Sequence, residues 1–237
     1  MKIPIKGVIV SNNEKMIYEM FGFEVTTPDD VNELIEGAEA GEGLEVVINS
    51  PGGDVFSGSE IYTALMDYKG PVETKIVGIA ASAASIIAMA GGIVKISPTA
   101  EIMIHNVTEI AQGDYRDFEH EAEVLKDYNK TIANAYTLKS GMSHDELLSL
   151  MDKETWLTPQ KAKEYDLVDE IMFDEGKKLA AVAGIGENIL LPDNVINKMR
   201  DLLHDGGIVD NENADEKEMK VQGAKLDLLK LRSDVKC

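Results

Sequence analysis

Cysteine is almost missing from this 237-residue chain: there is one, Cys237, at its end. Intramolecular disulfides are therefore excluded, and so is a zinc site built on several thiolates. Basic residues are also in short supply, 23 Lys and Arg against 43 Asp and Glu, for a net charge of −20. The deficit is local, because residues 1–175 hold 13 basic and 32 acidic residues while residues 176–237 hold 10 and 11. A nucleic-acid binder needs a basic face, and an anionic membrane surface repels an acidic one, so both partner classes are set aside. No apolar run is long enough for a membrane span. The longest, Val77 to Val94, is rich in Gly and Ala and is interrupted by Ser82 and Ser85, short of the roughly 20 apolar residues a span requires. The opening "MKIPIKGVIVSNNEK" has no apolar core of signal-peptide length. Together with the scarcity of cysteine, this predicts a reducing, cytoplasmic setting.

What is present alternates. "GVIVS" (7–11), "LEVVINS" (44–50), "VETKIVG" (72–78), "GIVKIS" (92–97) and "AEIMIHN" (100–106) read as strands. Between the first two, a helix opens with Thr27 as cap and Pro28 at its first position, and Gly41 is its expected stop. "SGSEIYTALMDY" and the run after Ser82 give two more helices. A long amphipathic helix spans about Asp114 to Leu138, with Phe118, Leu125, Tyr128, Ile132 and Tyr136 near helical spacing. Ser143 followed by Glu146 has capping-box spacing, and Thr158–Pro159 starts a last helix. Strands alternating with helices predict an α/β fold with a mostly parallel sheet over residues 1–175. Residues 176–237 read as a polar linker and an amphipathic helical C-terminal extension.

Four places could carry chemistry. Ser82 stands where a strand turns into a helix, beside unpaired N–H groups that can stabilise a negative oxygen. It reads as a nucleophile or as an ordinary N-cap; Ser85, one turn on, reads as a small core residue. "SPGGD" (50–54) holds two glycines that let the backbone point an amide into a site, or simply make a turn. His105 ends an apolar strand and reads as a general base or as a satisfied histidine. His120, His144 and His204 sit in a charged run, a cap and the tail, and no pair has metal-ligand spacing. Asp152 and Glu154 precede a capped helix. If that segment is extended they face the same way, and either could orient an imidazole, the other being solvated; otherwise the run reads as a charged loop. Trp156, the only tryptophan, is expected to pack beneath that loop.

In order, "NSPGGDVFSG", "GIAAS", "MIH" and "ETWLTPQKAKEYDLVDEI" resemble the motifs of the ClpP-type serine peptidases, over about residues 5–173. The forms "SPGGDVFSG" and "ETWLT" look most like the phage and prophage branch associated with head maturation. The resemblance implies a ClpP/crotonase-like repeated β-β-α fold and a serine endopeptidase that works through an acyl-enzyme and needs no cofactor or metal. It implies Ser82 as nucleophile and His105 as base. Glu154 stands where the family usually has aspartate, with Asp152 as the alternative. Gly53 and Ala83 fall on the two oxyanion donors. Asn106–Val107 replaces a frequent Gln-Pro, and Asp166 stands where a glycine often ends a helix.

The family resemblance further implies a homo-oligomer of heptameric rings, stacked in pairs, acting on polypeptides. In the phage branch these are capsid, scaffold or portal proteins, met in the host cytoplasm or the prohead interior. The short segment ahead of the first strand speaks against dependence on an AAA+ unfoldase. The competing expectations are a housekeeping-like Clp subunit working with an unfoldase and a non-catalytic assembly scaffold that keeps the fold. A crotonase-like acyl-CoA enzyme and a signal-peptide-peptidase relative share the turn-and-helix architecture. The former does not require a Ser–His pair here. The latter uses a lysine base and usually a membrane anchor.

Overall fold

The structure, a computed structural model, describes residues 1–174; the expected linker and helical extension at 176–237 lie outside the described residues. Strand β1 (Lys2–Ile9) is followed by α1 (Lys15–Met20), β2 (Val25–Thr26) and α2 (Pro28–Glu36). Then come β3 (Leu44–Gly53), α3 (Val55–Asp67), β4 (Val72–Ala81) and α4 (Ala83–Ala88). Strands β5 (Ile93–Ile96) and β6 (Glu101–Ile104) precede the long helix α5 (Tyr115–Ser140). Helix α6 (His144–Met151), β7 (Thr155–Leu157), α7 (Pro159–Glu164) and β8 (Glu170–Ile171) complete the described chain. The fold is α/β with a mostly parallel sheet ordered β2-β1-β3-β4-β5-β8. Among the described residues only β6 and β7 pair antiparallel.

The sheet forks at β4, and the fork positions the site. The first half of β4 pairs with β5 (Glu73–Ile76 against Ile93–Ile96) and the second half with β6 (Ile79–Ala81 against Glu101–Met103). Beside the fork, β3 shifts register between Ile48 and Ser50, and the Asn49 carboxamide oxygen accepts from the Ile79 N–H at 3.2 Å. One branch closes the sheet through β8; the other carries β6 outward to meet β7.

Alternating β-branched residues build the core side of the sheet. Ile3, Ile5, Ile9, Val46, Ile48, Ile76, Val94, Ile96, Ile102 and Ile104 are all 0% exposed. Each such side chain contributes about 1.5–3 kcal/mol on burial. Against them pack α4, all six of whose residues are buried, and the inner faces of α3 and α5. The opposite positions carry charge. Lys75 bridges Glu45 (2.6 Å) and Glu73 (3.0 Å), and Lys95 bridges Glu73 (3.1 Å) and Glu170 (3.4 Å). A parallel sheet usually hides both faces; here the second is clothed in a ladder of ion pairs.

Helix starts follow the sequence. Thr27 and Asp30 form a capping box, as do Ser143 and Glu146, and Thr158 caps α7. Helix α2 ends at Glu36 with Gly37 as its cap, before the expected Gly41, and β1 begins at Lys2 rather than at Gly7. Of the expected stripe on α5, Ile132 and Tyr136 are buried, whereas Phe118, nearer its start, is 50% exposed. Among the described residues no helix is long and apolar enough to cross a membrane.

Candidate active site

Parallel pairing of β4 with β6 sets Ala81 opposite Met103, and the Ser82 N–H donates to the Met103 carbonyl at 2.9 Å. The two strands end side by side, so the residues just beyond them, Ser82 and His105, are delivered to one place. His105 Nε2 lies 2.7 Å from Ser82 Oγ.

Ser82 itself is strained. It adopts φ 53° and ψ −126°, a region a non-glycine residue rarely occupies, at a cost of about 1–3 kcal/mol. That conformation turns β4 into α4 without a loop. The hydroxyl makes no N-cap hydrogen bond, so the ordinary role of a serine at a helix start is unfilled and Oγ is left to His105. The carbonyl oxygen of Ser82 is heavily engaged instead. It accepts from the Ser85 N–H at 2.9 Å, the Ile86 N–H at 3.4 Å and the Ser85 hydroxyl at 2.6 Å.

The glycine turn lies directly over this corner. Gly52 and Gly53 have φ +93° and +148°, values that disfavour any L side chain. A Cβ on Gly52 would stand 2.5 Å from the Ala81 carbonyl, 2.8 Å from Ser82 Cβ and 3.0 Å from the Ala83 nitrogen; one on Gly53 would stand 2.1 Å from the Ile9 carbonyl. Ser50 sets the approach, donating to the Gly7 carbonyl at 2.6 Å while accepting from the Gly52 N–H at 3.1 Å. Asp54 then caps α3, accepting from the Ser57 N–H at 2.7 Å.

Beside Ser82 and His105 opens a cleft of about 300 Å³, lined among others by Gly53, Phe56, Ala83, Val107, Glu109 and Tyr128. Phe56 and Tyr128 meet edge to face at 5.4 Å, giving one apolar wall. At the rim, hydrogen bonding to and repulsion from Glu121 hold the Glu109 carboxyl above the ordinary carboxylate range.

The carboxylates are placed differently. Strand β7 pairs Ile104 with Thr155, the last pair of the ladder, so His105 and Glu154 each stand one residue beyond it. Residues 152–154 form a turn rather than the extended segment the sequence allowed: Asp152 has helical dihedrals as the C-cap of α6 and Glu154 has φ 48°. The two side chains therefore do not share a face. Asp152 accepts from Asn106 Nδ2 at 2.8 Å, and Glu154 accepts from Trp156 Nε1 at 3.4 Å. The only side-chain hydrogen bond of His105 among the described residues is the one to Ser82. Trp156 does not pack in the core; it is 50% exposed, because β7 is a three-residue edge strand that turns that position outward.

The hydrogen bond between two residues behind Ser82 escaped the sequence reading. Ser85 is a buried small residue as expected, but it is also a hydrogen-bonding one, 2.7 Å from the Tyr136 hydroxyl. Tyr136, read only as part of a helical stripe, is 1% exposed, and burial pushes its phenol well up from the ordinary value against the opposing effect of its bond to Ser85. The signal was there: two polar groups on the inward faces of two different helices need each other when buried.

The sequence model of the Clp protease family matches residues 33–175, a span that contains every residue placed above from Ser50 to Trp156. Three curated relatives are each 34% identical. The ATP-dependent Clp protease proteolytic subunit of Bacteroides fragilis (strain ATCC 25285) aligns over 140 residues, 58% of this chain and 68% of that protein. The same subunit from B. fragilis strain YCH46 aligns over 140 residues, and that of Bacteroides thetaiotaomicron (strain ATCC 29148) over 143; both matches cover 58% of this chain and 64% of the relative. The match therefore spans about two thirds of the relatives' length.

Proposed function

Because the chain belongs to the Clp protease family, we propose that it is a serine endopeptidase with Ser82 as nucleophile and His105 as general base. The observation that carries this is the 2.7 Å contact between Ser82 Oγ and His105 Nε2 at a strained strand-to-helix corner. His105 accepts the hydroxyl proton as Oγ attacks the substrate carbonyl. The N–H groups of Gly53 and Ala83 receive the oxyanion, His105 returns the proton to the departing amine, and water releases the acyl group by the same route. Glu154 is the third member, a reading supported by its standing, like His105, one residue beyond the last pair of the β6–β7 ladder; Asp152 is the alternative. The substrate is a polypeptide lying in the cleft, and no cofactor takes part.

The protein works as a homo-oligomer of heptameric rings, stacked in pairs, and without ATP. Its substrates are capsid, scaffold or portal proteins during phage head maturation; the forms "SPGGDVFSG" and "ETWLT" support that branch. A second reading, a subunit that depends on an unfoldase, is favoured by the ATP-dependent naming of the relatives. Two measurements test these assignments. A fluorophosphonate probe is expected to label Ser82 in the wild type and not in Ser82→Ala; an unlabelled, assembled wild type removes the peptidase reading in favour of a scaffold. Cleavage of an unfolded protein without nucleotide is expected, and its absence favours the unfoldase-dependent reading.

A further inference from the structure

Directions of donation behind Ser82 are fixed by valence. The Ser82 carbonyl can only accept, so the 2.6 Å contact uses the single hydroxyl proton of Ser85. The 2.7 Å contact between Ser85 Oγ and Tyr136 Oη must then be a donation from tyrosine to serine. The result is a directed chain: Tyr136 O–H to Ser85 Oγ, and Ser85 O–H to the oxygen of Ser82. Both side chains are buried, Ser85 at 0% and Tyr136 at 1% exposure, so water does not compete for either bond.

The oxygen so held belongs to the peptide that joins Ser82 to Ala83. In a trans peptide the C=O and the N–H lie in one plane and point in opposite directions. Fixing the carbonyl of Ser82 therefore fixes the N–H of Ala83. We propose that Tyr136 and Ser85 are positioning residues, a two-hydroxyl relay that aims the Ala83 N–H at the oxyanion of the reaction and holds the strained corner that carries Ser82. This rests on the peptidase reading above and gives it a part outside the triad. Donation to the carbonyl also polarises the peptide, which strengthens the opposite N–H as a donor. Without the relay, that carbonyl keeps only its two backbone donors, the N–H groups of Ser85 at 2.9 Å and Ile86 at 3.4 Å, and the strain at φ 53° tilts the peptide about ψ of Ser82 and φ of Ala83, turning the donor off line. Burial raises the Tyr136 phenol, so its proton stays in place throughout the working pH range.

The test uses the full chain with Ser85→Ala, Tyr136→Phe and the double variant. The readouts are the second-order rate of fluorophosphonate labelling at Ser82, kcat and KM on a fluorogenic peptide, and the assembly state. Complete loss of an oxyanion donor costs about 10²–10³-fold; a misaimed donor is expected to cost about tenfold in kcat and in labelling, with KM within about twofold. The double variant is expected to be no slower than Ser85→Ala, since Tyr136 acts only through Ser85. A lost packing contact lowers the melting temperature but does not produce that kcat-only, non-additive pattern. Wild-type rates in folded Ser85→Ala, additive losses, or a rise in KM with kcat unchanged would each overturn the relay. If Tyr136→Phe does not fold, Ser85→Ala, which removes one oxygen, decides alone. Labelled wild type with unslowed Ser85→Ala sinks the relay and leaves the peptidase; unlabelled wild type sinks both.

Discussion

The two sides of His105 are built to different standards. On the Ser82 side every contact is made by backbone or buried groups: the strand pairing to Met103, the glycine turn over Ser82, and the hydroxyls of Ser85 and Tyr136. On the other side stands an exposed turn whose carboxylates are occupied elsewhere, Asp152 by Asn106 and Glu154 by Trp156. The first side has no room to shift, because its neighbours are close-packed. The second can move, because exposed side chains exchange rotamers at little cost. Nucleophile and oxyanion donors need fixed geometry, whereas a carboxylate that only orients an imidazole can arrive with substrate or assembly.

Gly52→Ala is the strongest way to test the rigid side. Its Cβ would meet the Ala81 carbonyl at 2.5 Å and Ser82 Cβ at 2.8 Å, so Ser82 or the turn must give way. A displacement near 1 Å at a reacting group costs about 10²-fold, and labelling of Ser82 is expected to slow by that order in a protein that still assembles. Wild-type labelling would show that the corner is adaptable after all.

Smaller effects are expected from the loose side, and they separate its two carboxylates. Glu154→Ala is expected to lower kcat about 10- to 100-fold, at or below the usual range for a group in acid–base catalysis, because in the proposed triad the group orients rather than transfers a proton. Asp152→Ala is expected to change kcat by less than about threefold, since its carboxylate accepts from Asn106 and not from His105. Peptidase assays on the two variants side by side check this; the reverse order would assign the orienting role to Asp152.

How much of this was readable in the sequence divides along the same line. Ser82 and His105 stood out as candidates because each ends an apolar strand, and strand ends in a parallel sheet gather at one rim; their roles came only from the family resemblance. Their contact was not legible, since it depends on β6 pairing with the outer half of β4, a long-range register no local pattern encodes. The turn at 152–154 stayed open between an extended segment and a charged loop because charged residues carry no periodicity, and the Glu154 backbone takes φ 48°, a conformation no local pattern announces. Trp156 was assigned to the core on size alone, yet an edge strand three residues long leaves one face open. Helix α1 went unnoticed because Met16, Ile17 and Met20 are exposed and make no inward stripe.

Strain offers the finest test of the contrast. Asp166, like Ser82, has positive φ, at 55°. It follows α7 in a Schellman motif: the Leu167 N–H reaches the Ala162 carbonyl at 3.0 Å and the Asp166 N–H the Lys163 carbonyl at 3.1 Å. That position favours glycine. Strain at Ser82 holds its hydroxyl beside His105, whereas the strain at Asp166 touches neither Ser82 nor His105. Asp166→Gly is therefore expected to raise unfolding free energy by about 0.5–1 kcal/mol, the left-handed penalty less the chain entropy glycine adds, and to leave kcat unchanged. Chemical denaturation and a peptidase assay on the same preparation check both halves; a fall in kcat would tie this helix end to the site and erase the distinction between strain that works and strain that does not.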